Sequence, residues 1–125
     1  MAKLFLVGVG GFFGSILRYI TSGFISRILG KPYFPYGTLF VNILGCFLIG
    51  FLSGLSENKQ LFNPETRTLI FVGLLGGFTT FSTFGYEVFS FARDGQMLSS
   101  LSNLLFHIIF GIGGVWFGYS MSKLI

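Results

Sequence analysis

The chain has 125 residues, one domain's worth, with 52% hydrophobic residues, 10% charged residues and a mean hydropathy of +0.79, which excludes an ordinary water-soluble protein. Its formal net charge of +4 comes from scattered lysines and arginines with no basic cluster, so nucleic acid is excluded as a partner. Cys46 is the only cysteine, which leaves no internal disulfide and no cysteine-based zinc site.

The uncharged runs Pro32–Ser56, Thr68–Tyr86 and Gly95–Ser122 each exceed the ~18 residues at which such a run reads as a bilayer-spanning helix. A weaker run, Leu4–Leu17, ends at Arg18. The expectation is an all-α membrane protein, a single integral membrane domain over 1–125. Its spans should lie at about 3–27, 38–56, 65–92 and 97–123.

In the first span a signal peptide is the competing reading, with Lys3 ahead of an apolar core. The apolar pattern continues through Tyr19, Ile20, Phe24 and Ile25, which argues for a retained helix. The segment from Gly8 to Gly14 loosely resembles a dinucleotide fingerprint but has Phe13 where the third glycine belongs and no strand before it. Gly10 and Gly14 form instead a small-xxx-small packing surface. Arg18 is costly inside a membrane helix; it faces a cavity, a partner or an interface, or it snorkels to the headgroups.

Gly30 to Gly37 reads as a turn with aromatic anchors at the interface. In the second span Thr38 and Asn42 are four apart and share a face. An amide there either bonds a neighbouring helix or lines a path. Gly50 and Gly54 give a second close-packing surface. Ser56 to Thr68 is the longest polar connection, and Asn63-Pro64-Glu65 marks the entry to the third span.

The third span carries Gly76-Gly77-Phe78-Thr79-Thr80-Phe81-Ser82-Thr83-Phe84 at its centre. Glycine and threonine weaken a helix, and hydroxyls compete for its backbone bonds. A helix break is expected here. In hydrocarbon such a break is tolerated only when buried in protein or facing a wet cavity, so it points to an ion or solute site. The bland alternative is that the hydroxyls glue helices together. Glu87 is the only carboxylate within an apolar stretch, placed either near this site or at the interface, paired with Arg93. In the fourth span Asn103 and His107 share a face, followed by Gly111 and the Gly114/Gly118 pair. A metal cluster and a nucleophile–base pair are both absent, so an enzyme is not expected.

With both termini on one side, Lys3, Lys59, Arg67 and Lys123 oppose Arg27, Lys31, Arg93 and, by its depth, Arg18. The near balance gives no orientation preference and makes the chain a candidate for insertion both ways, hence for an antiparallel dimer. The site chemistry is mixed. Hydroxyl donors and the positive edges of phenyl rings suit a small anion, and freed carbonyls suit a cation.

Together Gly14-Ser15-Ile16-Leu17-Arg18-Tyr19, Gly37 through Gly45, and Gly76 through Phe84 followed by Glu87 resemble the Fluc (CrcB-type) family of fluoride channels. The resemblance covers the whole chain. It implies a dual-topology antiparallel homodimer in the prokaryotic inner (plasma) membrane that exports fluoride passively. It implies a central structural sodium held by the backbone carbonyls of Gly76 and Thr79. It places Asn42, Phe81, Ser82, Thr83 and Phe84 in the fluoride pore, Arg18 in a vestibule, Glu87 close to the pore, and Asn103 or His107 on the helix 4 polar track. Two alternatives stay open: a small multidrug-type proton-coupled exporter, which calls for a carboxylate deep in helix 1, and a non-transporting membrane assembly protein.

Overall fold

The computed structural model describes residues 1–30 and 33–125; Lys31 and Pro32, at the centre of the expected turn, lie outside the described residues. Every regular element among the described residues is helical. Helix α1 (Ala2–Leu29) ends on Gly30, whose φ of 58° is the left-handed conformation that glycine adopts without strain. Helix α2 covers Tyr36–Lys59. The third span begins with α3 (Pro64–Arg67), where Pro64 sits in the first turn and the Asn63 side chain accepts from the Thr66 amide at 2.7 Å. It continues as a π-helical segment (Thr68–Leu75) and α4 (Gly76–Phe78), bends at Thr79 and Thr80, and resumes as α5 (Phe81–Arg93). Helix α6 covers Met97–Ser122. Four helical stretches, Ala2–Leu29, Tyr36–Lys59, Pro64–Arg93 and Met97–Ser122, are long and apolar enough to cross a membrane, so the protein is a multi-pass membrane protein.

Glycines decide which helices meet. A Cβ on Gly50 would strike the backbone of Val115, and one on Gly118 would strike the backbone of Phe47. The two helices α2 and α6 therefore approach each other backbone to backbone, as small residues allow in lipid, where apolar burial alone gives little drive. On the other side of the molecule Gly10 meets Gly73 and Leu74, and Gly14 meets Leu74 and Phe78. That contact docks α1 on the π-helical half of the third span. The α5 half leans instead on α6. The third span thus changes neighbours at the bend.

The bend follows from the local sequence. Thr79 (φ −89°, ψ 158°) and Thr80 (φ −149°, ψ 113°) have extended backbone. Thr80 then starts α5 as its N-cap, its hydroxyl oxygen accepting from the Thr83 amide at 3.2 Å. Two β-branched residues after Gly-Gly are poor helix interior, and a hydroxyl three residues before an amide is a ready cap.

Candidate functional site

The bend releases backbone groups that a continuous helix would pair. The Thr80 N–H, which would bond the Gly76 carbonyl, donates instead to Asn42 Oδ1 at 2.8 Å. The Thr80 carbonyl accepts from Asn42 Nδ2 at 3.0 Å. One amide from α2 therefore closes both groups of Thr80, which removes the penalty of leaving those two groups open at membrane depth. The Thr83 N–H bonds the Thr80 hydroxyl, which leaves the Thr79 carbonyl without a helical donor; it accepts from Arg18 Nη1 at 3.1 Å.

The second proton on Asn42 Nδ2 faces His107 Nε2 at 3.1 Å, and His107 Nδ1 lies 3.0 Å from the Asn103 carbonyl. A lower rung repeats the pattern. Thr38, one turn before Asn42, donates to Glu87 Oε1 at 2.6 Å. Asn103, one turn before His107 and fully buried, lies beside the Glu87 carboxyl without closing a hydrogen bond to it. Between the rungs sits Phe84, buried, its ring centroid 4.1 Å from that of His107 and 5.6 Å from that of Phe81, which it meets edge-on. Helices α2, α5 and α6 are thus joined by a two-rung polar ladder around a phenylalanine.

Two cavities meet at Thr80. One, of about 720 Å³, is lined by Ser15, Arg18, Ser22, Arg27, Thr38, Thr80 and Thr83 among others. Among its described lining residues there are two arginines and no carboxylate. The other, of about 420 Å³, is bounded by Asn42, Cys46, Gly76, Thr79, Thr80, Phe81, Phe84 and His107, with Phe71 and mostly aliphatic residues among the rest. The arginines of the first favour an anion by charge; the second is bounded by aromatic rings and an amide.

The residues expected from the sequence fall into two sets. Arg18, Thr38, Asn42, Phe84, Glu87, Asn103 and His107 converge within one chain. Phe81, Ser82, Thr83 and Gly76 are exposed in a single chain, with Phe81 82% exposed. The Thr80 hydroxyl donates to Thr83 Oγ1 at 3.0 Å, which leaves the Thr83 proton free for another acceptor. Glu87 bonds Thr38, while Arg93 pairs with its neighbour Asp94 at 3.0 Å, so the interfacial Glu87–Arg93 pair is not formed.

Gly76 and Thr79 offer freed backbone carbonyls, the hard oxygen donors that a small cation takes. In donor chemistry they fit a sodium ion, with the qualification that one lone pair of the Thr79 oxygen is already committed to Arg18.

Two participants are not evident from the sequence reading. Thr80 is the residue the ladder holds, and its signal is a hydroxyl three residues ahead of Thr83, the spacing of an N-cap. Arg27 joins Arg18 in the larger cavity although nine residues separate them, a spacing that puts them on opposite helix faces. Only the reach of a long side chain brings it there, and no periodicity announces that. Ser15 and Ser22 do share the Arg18 face, three and four residues away.

Residues 5–119 match the family described as "CrcB-like protein, Camphor Resistance (CrcB)". The chain is 46% identical over 123 residues to the fluoride-specific ion channel FluC of Chlorobium phaeobacteroides, covering 98% of this chain and 94% of that one. It is 42% identical to fluoride-specific ion channel FluC 1 of Methanosarcina acetivorans, covering 94% and 88%. It is also 42% identical to the FluC channel of Aquifex aeolicus, covering 98% of each.

Proposed function

The chain belongs to the CrcB family, and we propose on that premise that it is a fluoride-selective ion channel that lets fluoride leave the cytoplasm passively. The observation that carries the anion reading is the cavity with Arg18 and Arg27 in its wall and no carboxylate among its described lining residues, ending on the hydroxyls of Thr80 and Thr83. Fluoride is small and strongly hydrated, so a path for it must replace its water with donors at close range. Ser82 and the free proton of Thr83 supply hydrogen bonds, and the edges of Phe81 and Phe84 supply weaker positive contacts. Asn42 lines the path, but both its protons are taken by Thr80 and His107, so it acts by holding the bend. Glu87 and Asn103 form the exit rung beyond Phe84. Fluoride trapped after hydrogen fluoride dissociates inside the cell is driven out by the negative membrane potential, and the cell gains fluoride resistance.

The functional unit in this reading is an antiparallel homodimer in the inner (plasma) membrane. A single copy leaves Ser82 exposed beside an exposed Phe81, and a hydroxyl facing hydrocarbon at mid-span is unfavourable. A second, inverted copy covers them, and the near-balanced basic residues permit both insertions. The bend at Thr79–Thr80 is read as the helix break of the third span. The carbonyls of Gly76 and Thr79 would hold a central sodium ion, which supplies a fixed positive charge between the copies.

The test is fluoride release from liposomes holding the purified protein, followed with a fluoride electrode under a potassium gradient with valinomycin. Parallel vesicles are loaded with chloride. Fluoride release without chloride release is expected. Folded, reconstituted protein that releases neither ion would sink the proposal.

A further inference from the structure

We propose that His107 is a positioning residue: its neutral Nδ1–H tautomer holds the Asn42 amide, and hence Thr80, in the conducting arrangement, and a proton on Nε2 releases that hold. The inference rests on the fluoride-channel reading and assigns to the same site a response to protons.

The tautomer is determined twice. The Asn103 carbonyl, 3.0 Å from Nδ1, can only accept, so Nδ1 carries a proton. On the other side the orientation of the Asn42 amide is fixed by Thr80, whose N–H needs Oδ1 and whose carbonyl needs Nδ2. The remaining Asn42 proton therefore points at His107 Nε2 across 3.1 Å, and Nε2 must be bare to accept it. The two arguments use different partners and agree.

An imidazolium has a proton on both nitrogens. Its Nε2–H would face the Asn42 N–H at 3.1 Å, turning an attractive contact into a repulsive one. Asn42 cannot rotate its oxygen toward the ring without abandoning the Thr80 N–H and carbonyl together. The ring is also locked in place by Phe84, 4.1 Å away between centroids.

Both hydrogen-bond partners of the ring are neutral. From α5 the titratable group is Glu87, one turn beyond Phe84, with its carboxyl bonded to Thr38. From α2 it is Cys46, in the wall of the same cavity. From α1 it is Arg18, held on the Thr79 carbonyl next to Thr80. On α6 the neighbour one turn away is the neutral Asn103.

His107 is the only histidine in the chain, so every histidine signal reports on it. Solid-state nitrogen NMR of histidine-labelled protein in lipid is expected to show a protonated Nδ1 and a bare Nε2 at about pH 8. An Nε2–H tautomer would overturn the inference, and this readout does not require conduction. Fluoride efflux, corrected for hydrogen fluoride leak with protein-free vesicles, is expected to fall about tenfold between about pH 8 and about pH 5, the scale set by losing one buried hydrogen bond. The His107→Gln variant places a carbonyl oxygen where Nε2 accepts. It is expected to keep most of the flux with a flat pH profile, whereas His107→Ala stays low throughout. A flat wild-type profile, or a Gln variant that falls with the wild type, contradicts the proposal. Wild-type protein passing no fluoride at any pH sinks the channel reading instead, and the nitrogen shifts then still decide how Asn42 is held.

Discussion

Asn42 bonds both backbone groups of Thr80, accepting from its N–H at 2.8 Å and donating to its carbonyl at 3.0 Å. A side-chain amide here imitates the peptide partner that the bend removed. Asn42→Ala leaves a buried donor and a buried acceptor open, at about 1–3 kcal/mol each. The expected result is lower thermal stability in detergent and fluoride flux reduced more than about tenfold. Asn42→Asp keeps the acceptor, loses the donor and adds a negative charge beside the proposed anion path. Its flux is expected to be lower still, which liposome efflux measures directly.

Phe81 and Phe84 are adjacent rings with different burdens. Phe84 is 8% exposed and packed on His107, whereas Phe81 is 82% exposed in one copy. Phe84→Ile is expected to cost about 1–2 kcal/mol of stability along with flux. Phe81→Ile is expected to lose flux with fold stability unchanged. Efflux paired with denaturation separates the two, and wild-type flux from an assembled double variant contradicts the pore assignment.

Arg18 and Arg27 share the larger cavity, and Arg18 has a second task, at the Thr79 carbonyl. Arg27→Gln is expected to slow fluoride entry several-fold at low ionic strength and to recover toward wild type in high salt, as a screened field effect does. Arg18→Gln removes a backbone bond as well, so salt is not expected to restore it. Efflux at two ionic strengths is the measurement.

The helix contacts can be tested away from the path. Gly50→Ala and Gly118→Ala each drive a methyl into facing backbone, and backbone cannot swing aside. Each is expected to destabilise the fold by about 1–3 kcal/mol. Gly113 has nothing within 4 Å of its would-be Cβ. Gly113→Ala is expected to be neutral or to stabilise by up to about 1 kcal/mol through helix propensity. Unfolding in mixed detergent measures all three.

The spans were legible because uncharged runs have one inexpensive solution in a bilayer. The bend was legible for the opposite reason, since Gly76 through Phe84 reads poorly as helix interior. What the sequence leaves hidden is partnership. Gly10, Gly50 and Gly118 announce close contacts but not with which helix. Thr38 and Asn42, like Asn103 and His107, announce shared faces, but not that the faces meet as rungs. Glu87 could have bonded Arg93 or a neighbouring helix, and only the fold puts Thr38 within 2.6 Å of it. The π-helical turns from Thr68 to Leu75 carry no signal in residue type that we can name.

Because the third span changes neighbours midway, its first half packs on α1 and its second half on α6. Thr79 and Thr80 form the coupling between these two bodies, and each is pinned from a different side, Thr79 by Arg18 of α1 and Thr80 by Asn42 of α2. Any shear of α1 against α6, from bilayer thickness or lateral pressure, concentrates on two residues instead of spreading along a continuous rod. The proposed ion path would then run beside a joint held by two side chains, Arg18 and Asn42, from two different helices.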